Sequence, residues 1–256
     1  MKTTINYENG DRYEGDVNEN NLRDGVGTCY FAVGGRYQGH WTNDKKDGAG
    51  AYIFASGAKY AGEWVLDKKE GLGGYTYANG DVYIGSWEKD KASGNGIYRW
   101  ANGDEYSGNW MNGKPHGYGT YRYENGNVYE GDWVDGQKSG RGTLNYAMGD
   151  RYRGEWAKGV FSGAGELVFS GGLNIYAGDF LNGKRHGNGT CTLANGETYK
   201  GEWSENKRHG KGVYFYPNGD QFDGKFANDT QHGTGTFYYA NGNRETQRYE
   251  NGKRVG

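Results

Sequence analysis

The sequence predicts an all-β fold: an elongated, twisted array of antiparallel β-hairpins with no central globular core. Three observations carry that expectation. An aromatic-x-Gly triplet recurs at a near-constant interval, side chains around it alternate with a period of two, and Asn-Gly pairs punctuate most copies. Units too small to bury an apolar face alone must stack on their neighbours.

The triplets begin at Tyr13, Tyr37, Tyr60, Tyr83, Tyr106, Tyr129, Tyr152, Tyr176, Tyr199 and Phe222, spaced 23 residues apart except for two steps of 24. One Gly-x-Gly falls in each unit, from Gly25/Gly27 to Gly233/Gly235. The extra residues lie in "VNENNLRDG" and "SGGLNIY", both expected at turns, where insertions are tolerated. Residues 1–12 read as the second half of a unit, with Ile5 and Tyr7 at aromatic positions. Residues 245–256 read as the first half of another, with Tyr249 where other units carry Trp. Ten units and two half-units give an expected 22 strands over residues 1–256. At ~4.8 Å per strand such an array would be on the order of 100 Å long, and no separate domain is expected within it.

Within a unit the elements follow in order. In "DEYSGNW", Tyr106, Gly108 and Trp110 share one face, and Glu105, Ser107 and Asn109 share the other, the pattern of a strand. After the loop "MNGKPHG", the run "GTYRYENG" alternates again, with Tyr121 and Tyr123 on the aromatic face. Asn-Gly then supplies the hairpin turn, expected as type I′ with positive φ at both residues: Asn79-Gly80, Asn102-Gly103, Asn125-Gly126, Asn195-Gly196, Asn218-Gly219 and Asn241-Gly242. The glycine of each Tyr-x-Gly is expected to leave room for a ring to lie flat on the backbone.

Composition agrees. Fifty glycines would suggest disorder, but 24 Tyr, 9 Phe and 8 Trp oppose it, because disordered chains are poor in aromatics. A net charge of -2 gives no support to nucleic-acid binding. The start "MKTTINYENG" lacks the apolar run of a signal peptide, and no stretch approaches the roughly 20 apolar residues of a membrane-spanning helix. A cytoplasmic protein is the expectation. Cys29 and Cys191 take aromatic-face positions seven units apart, too far to be bridged, and read as small buried hydrophobes.

Candidate chemistry is sparse. A phosphate loop needs its glycines between a strand and a helix, and no helical pattern follows any Gly-x-Gly, which reads as a turn. His116, His186, His209 and His232 occupy one repeat position. Neighbouring copies would stand ~9–10 Å apart, too far to share a zinc ion, so a turn hydrogen bond is the expected role. The carboxylates Glu63, Asp132, Glu155, Asp179 and Glu202, and likewise Asp81, Asp104 and Asp220, are copies of single repeat positions. Catalysis needs one unique constellation. No enzyme, cofactor or metal is expected.

Tyr-x-Gly-x-Trp, then Gly-Lys-x-His-Gly-x-Gly, then Asn-Gly-Asp, repeated every 23 residues, resembles the MORN repeat family over essentially the whole chain. The unit "YSGNWMNGKPHGYGTYRYENGNV" is close to the family pattern. Departures are local: Val17, Phe180 and Phe226 replace Trp, "AKGVFSGAG" lacks the basic residues, and Glu245 replaces a Tyr. The resemblance implies a non-catalytic scaffold that docks or spaces other proteins in a cytoskeletal assembly. A ciliary or flagellar axoneme of the radial-spoke kind is the leading location it implies.

Two surfaces then stand out. Basic pairs at Lys45/Lys46, Lys68/Lys69, Lys184/Arg185 and Lys207/Arg208 would align along one edge. Anionic lipid is the sharper interpretation and a solvated edge that resists aggregation the favoured one, since acidic residues are interspersed. On the face away from the rings, Tyr30, Ile53, Val168, Phe215 and Tyr238, with Val213, break an otherwise polar pattern. They are candidate docking positions for partner proteins or for a second copy of the chain.

Overall fold

In the computed structural model, which describes residues 2–255, the described residues form 23 strands and no helix. The chain divides into two compact units: residues up to 124 with 133–136, and residues 125–132 with 137 onward. In the first unit, the strands from Lys2–Asn6 to Lys114–Arg122 each pair antiparallel with their sequence neighbours. In the second, the strands from Gln137–Asn145 to Lys253–Arg254 do the same. Among the described residues neither unit closes last strand on first. The fold is an open all-β hairpin array, as expected. Its strand count exceeds the expected 22 by one, because Asn251-Gly252 turns the chain into the short strand Lys253–Arg254.

One repeat shows the construction. Strand Glu105–Met111 pairs with Lys114–Arg122, placing Tyr106 opposite Tyr121 and Gly108 opposite Gly119. The Tyr106 ring lies over both glycines: a Cβ on Gly119 would stand 2.3 Å from its hydroxyl oxygen, and one on Gly108 would stand 2.5 Å from the Gly119 Cα. The hydroxyl donates to the Asn109 carbonyl at 2.9 Å. Tyr106 is fully buried and meets two tryptophans edge-on, Trp110 at 5.3 Å and Trp133 at 5.2 Å. Trp110 donates its indole N–H to the Gly96 carbonyl of the preceding repeat at 3.2 Å. The core is thus a file of rings on one face of a single sheet layer, resting on a stripe of glycines.

The Asn-Gly turns are not the two-residue type I′ turns expected from sequence. Asn102 is not in the left-handed region. Gly103 is, at φ 99°, with its N–H bonded to the Trp100 carbonyl and the Trp100 N–H bonded to the Asp104 carbonyl. That is a three-residue loop closed by a glycine bulge. The two-residue turns with positive φ at both positions lie at the opposite edge, as at Asn112-Gly113, Leu66-Asp67 and Lys89-Asp90. The expected turn at Gly-x-Gly is also corrected. These glycines lie inside strands, and the first of each pair, at positive φ, opens a bulge, as Gly71 does at 61° between the register pairs Gly62↔Gly73 and Glu63↔Glu70. Both insertions fall in turns. Asn18–Leu22 closes a three-residue loop where other repeats use two, and Phe169↔Asn174 closes four where others use three.

Candidate docking surfaces

Most polar groups that could carry chemistry are committed to holding turns. Asp81 accepts the Ala101 N–H at 2.8 Å and the Tyr98 hydroxyl at 2.7 Å, which ties one turn to the next. Those two donors, the hydroxyl foremost, hold its carboxyl below the usual carboxylate range. Asp104 repeats the arrangement with Glu124 and Tyr121. The carboxylates before Trp or Phe accept backbone N–H groups across the bulge: Asp132 from Arg141, Asp179 from Asn188 and Glu202 from Lys211. Two of the four histidines depart from expectation. Nδ1 of His116 and of His186 is buried without a hydrogen-bond partner, so neither atom makes a turn bond.

The basic pairs split between two roles. The second member folds over the ring face: Lys46 Nζ lies 4.5 Å from Trp64, Lys69 Nζ 4.4 Å from Trp87, and Arg185 Cζ 4.5 Å from Trp203. Arg208 sits 5.1 Å from Tyr214 of its own repeat and 5.8 Å from Phe226 of the next, and reaches Asp229. Burial pushes the Lys46 and Lys69 ammonium groups below their ordinary range. Each cation covers a ring of the following repeat, so these contacts join repeats. The first member pairs outward with the next turn: Lys45 with Asp67, Lys68 with Asp90 and Lys184 with Glu205. Lys207 is exposed beside them. Where the basic residues are missing, Phe161 takes the cation's place and stacks on Tyr152 at 3.7 Å.

The outer-face positions do lie away from the rings. Tyr30 stands between Arg12 and Arg36 in register, with the Arg12 guanidinium 4.7 Å over its ring. Ile53 stands between Arg36 and Lys59. Val168 pairs with Arg151 and Ile175. In the second unit Val213 and Phe215 come together in one open groove of about 700 Å3, with Lys200, Lys211 and Asp223. Tyr238 follows across Gln221 and is 38% exposed. Sequence reasoning missed others on this face: Ile84, half exposed and paired with Ile97, and the exposed Leu72 and Tyr118 between the glycines of Gly-x-Gly. The signal for them was a large apolar residue at a repeat position that is mostly polar or small elsewhere.

A fold of stacked 23-residue hairpins, with polar groups spent on turns and rings spent on the core, defines a β-hairpin repeat protein. The family is explicit in the sequence. MORN repeat profiles match residues 13–36, 37–59, 60–82, 83–105, 106–128, 129–151, 152–173, 176–198, 199–221 and 222–244, and the chain belongs to the MORN repeat family. No curated protein matches it in sequence. Among solved structures, the G-box domain of the microcephaly protein CPAP is similar at 17% identity, over 79% of this chain and 100% of its own, with a TM-score of 0.42. The TCP10 domain of Danio rerio CPAP, solved with a peptide of Danio rerio STIL, is similar at 13% identity over 100% and 98%, with a TM-score of 0.37. Both likenesses are distant, and nothing about this chain's partners follows from them.

Proposed function

We propose that this chain is a non-catalytic scaffold that docks other proteins of a cytoskeletal assembly, with a ciliary or flagellar axoneme as its place of work. The observation that carries this reading is the groove on the outer face of the second unit. Val213 and Phe215 line it, half-buried, beside Lys200 and Lys211. Nothing in the hairpin fold requires apolar side chains there, since equivalent positions hold Thr120 and Arg122 elsewhere. Apolar side chains ringed by charge are how docking surfaces are built. Membership in the MORN repeat family supports the scaffold class, and the axonemal location rests on family analogy. Self-association through the same face is the second occupant to test.

Affinity capture with the tagged chain tests the reading. Phe215→Ser with Tyr238→Ser is expected to lose partners, or self-association, that the wild type retains. An unchanged set of partners from a folded double variant would end the proposal. The membrane reading is the weaker one, because seven of the eight basic side chains named above already engage a carboxylate or a ring. Salt-sensitive flotation with phosphoinositide liposomes, lost on replacing Lys184, Arg185, Lys207 and Arg208, would revive it.

A further inference from the structure

Each repeat places a side chain two residues beyond Gly-x-Gly on the ring face. In the first unit this is a ring at Tyr52, Tyr75, Tyr98 and Tyr121 and a thiol at Cys29, whose sulfur accepts from Arg23 at 3.7 Å. Tyr52 shows what surrounds it. Phe31 stacks on it at 5.4 Å, Phe54 lies 4.3 Å away, Trp64 lies 6.3 Å away, and Lys46 Nζ stands 5.0 Å over its ring. In the second unit the same surroundings recur around residue 191. Phe169 holds the place of Phe31, Leu193 that of Phe54, Trp203 that of Trp64, and Arg185 that of Lys46. The residue itself is Cys191. A thiol stands where five other repeats place a phenol, and Cys29, Leu144 and Leu167 likewise hold no ring there.

The result is a socket of about 380 Å3, open to solvent, with Cys191 at its floor. Its walls include Phe169, Leu193 and Trp203, with Arg185 and Arg208 alongside and the carboxylates Glu197 and Asp229 at the same cavity. The arginine wall is electrostatically matched to a ring. Arg185 Cζ lies 4.5 Å from Trp203 and 5.8 Å from Phe169. Its side chain bonds the carbonyl of Asn206, and its backbone N–H bonds the Asn206 side-chain oxygen as the Lys46 and Lys69 N–H groups bond Asp67 and Asp90. A guanidinium so placed presents positive charge to the negative face of an aromatic ring.

We propose that this socket takes the aromatic ring of a tyrosine or phenylalanine presented by a partner protein, seated as the chain seats its own Tyr52. That a partner supplies the ring rests on the docking function proposed above. The socket's affinity for a ring does not. Buried aromatic anchors in preformed pockets are the usual centres of protein recognition.

The test uses p-cresol, the tyrosine side chain as a free molecule, titrated into the full chain. The indole N–H resonance of Trp203, assigned with Trp203→Phe, is the readout. Saturable binding that shifts Trp203 and leaves Trp110 unmoved is expected. Cys191→Tyr, which fills the socket with the residue five other repeats carry, is expected to weaken that binding about tenfold or more with no loss in thermal stability. Leu193→Tyr closes the same space from the rim and should act alike. Absence of saturation in the wild type would overturn the proposal, as would unchanged affinity in both filled variants. Either failure leaves the partner capture by Val213 and Phe215 to stand or fall separately.

Discussion

The smallest side chain does the most specific work in this fold. Gly119 exists as glycine because the Tyr106 ring occupies the place of its side chain, with the hydroxyl 2.3 Å from any Cβ. Gly113, in the turn of the same hairpin, has open space around it and needs glycine only for its φ of 79°. Overpacking a core costs typically 1–3 kcal/mol, and a left-handed alanine costs roughly 1–2. Gly119→Ala, which displaces a buried ring against backbone, is therefore expected to lower urea stability by about 3 kcal/mol, and Gly113→Ala by about 1. Equal losses would show that the ring can move aside. The C-terminal end makes the same point in reverse. Glu245 replaces the repeat's tyrosine, and Gln247 then fills the glycine position, buried and bonded to Glu245 and Tyr249. Without a ring overhead the position no longer has to be glycine. The buried phenols also set an alkaline limit. Burial, foremost, pushes Tyr13 and Tyr199 up to about 12, above the unfolded value of about 10. A raised folded pKa gives stability that is whole below the unfolded value and is lost as pH climbs through the folded one. Phenolate absorbance from Tyr13 and Tyr199, read as the difference from their Phe variants, and loss of strand signal are expected to rise together between about pH 10 and about pH 12. Phenolate from these two rings at the lower end with the strands intact would contradict their burial.

At the scale of the hairpin, repeats are joined by turn bonds and by cations over rings. Lys69 covers Trp87 of the next repeat at 4.4 Å, while its neighbour Lys68 makes an exposed pair with Asp90. A desolvated cation on a tryptophan is worth about 1–2 kcal/mol, and an exposed pair well under about 1. Lys69→Ala should therefore cost clearly more than Lys68→Ala in equilibrium unfolding, and the reverse order would remove the cation from this role. Neither assignment was legible in the sequence, where the two lysines look alike. What separates them is strand parity: one points over the rings and the other away. The hairpin array, the ring face and the glycine stripe were legible, because Tyr, Gly and Trp alternate in register in nearly every copy. The turns were not. Asn-Gly is the familiar mark of a two-residue turn, yet here the glycine alone takes positive φ and the asparagine side chain holds the following N–H, as Asn102 holds Asp104. The true two-residue turns use pairs such as Leu66-Asp67 and Lys89-Asp90, tolerated because the second residue's carboxylate bonds the preceding turn, as Asp67 bonds the Lys46 N–H. That compensation lies one repeat away and no local pattern announces it. The candidate surfaces were partly legible. Apolar residues at polar positions marked Val213 and Phe215. Cys191 was legible as a departure at an aromatic-face position but read only as a small buried hydrophobe, because Phe169 and Trp203, which surround it, come from neighbouring repeats.

At the scale of the molecule, each unit gives its inner face to its own packing, and the outer face is the one we propose for partners. The repeated positions build the array, so what distinguishes this protein from any other run of such hairpins is where its copies depart from the pattern. Those departures gather as apolar side chains on the outer face and as a vacant ring position on the inner one. A docking scaffold is the function that uses both. Detergent extraction of cells producing the tagged full chain tests this most directly, with wild type compared against Phe215→Ser combined with Tyr238→Ser. The wild type is expected to remain with the insoluble cytoskeleton, and the double variant, equally folded, to be released into the soluble fraction. Release of the wild type with the detergent-soluble material, or equal retention of the two, would contradict the account.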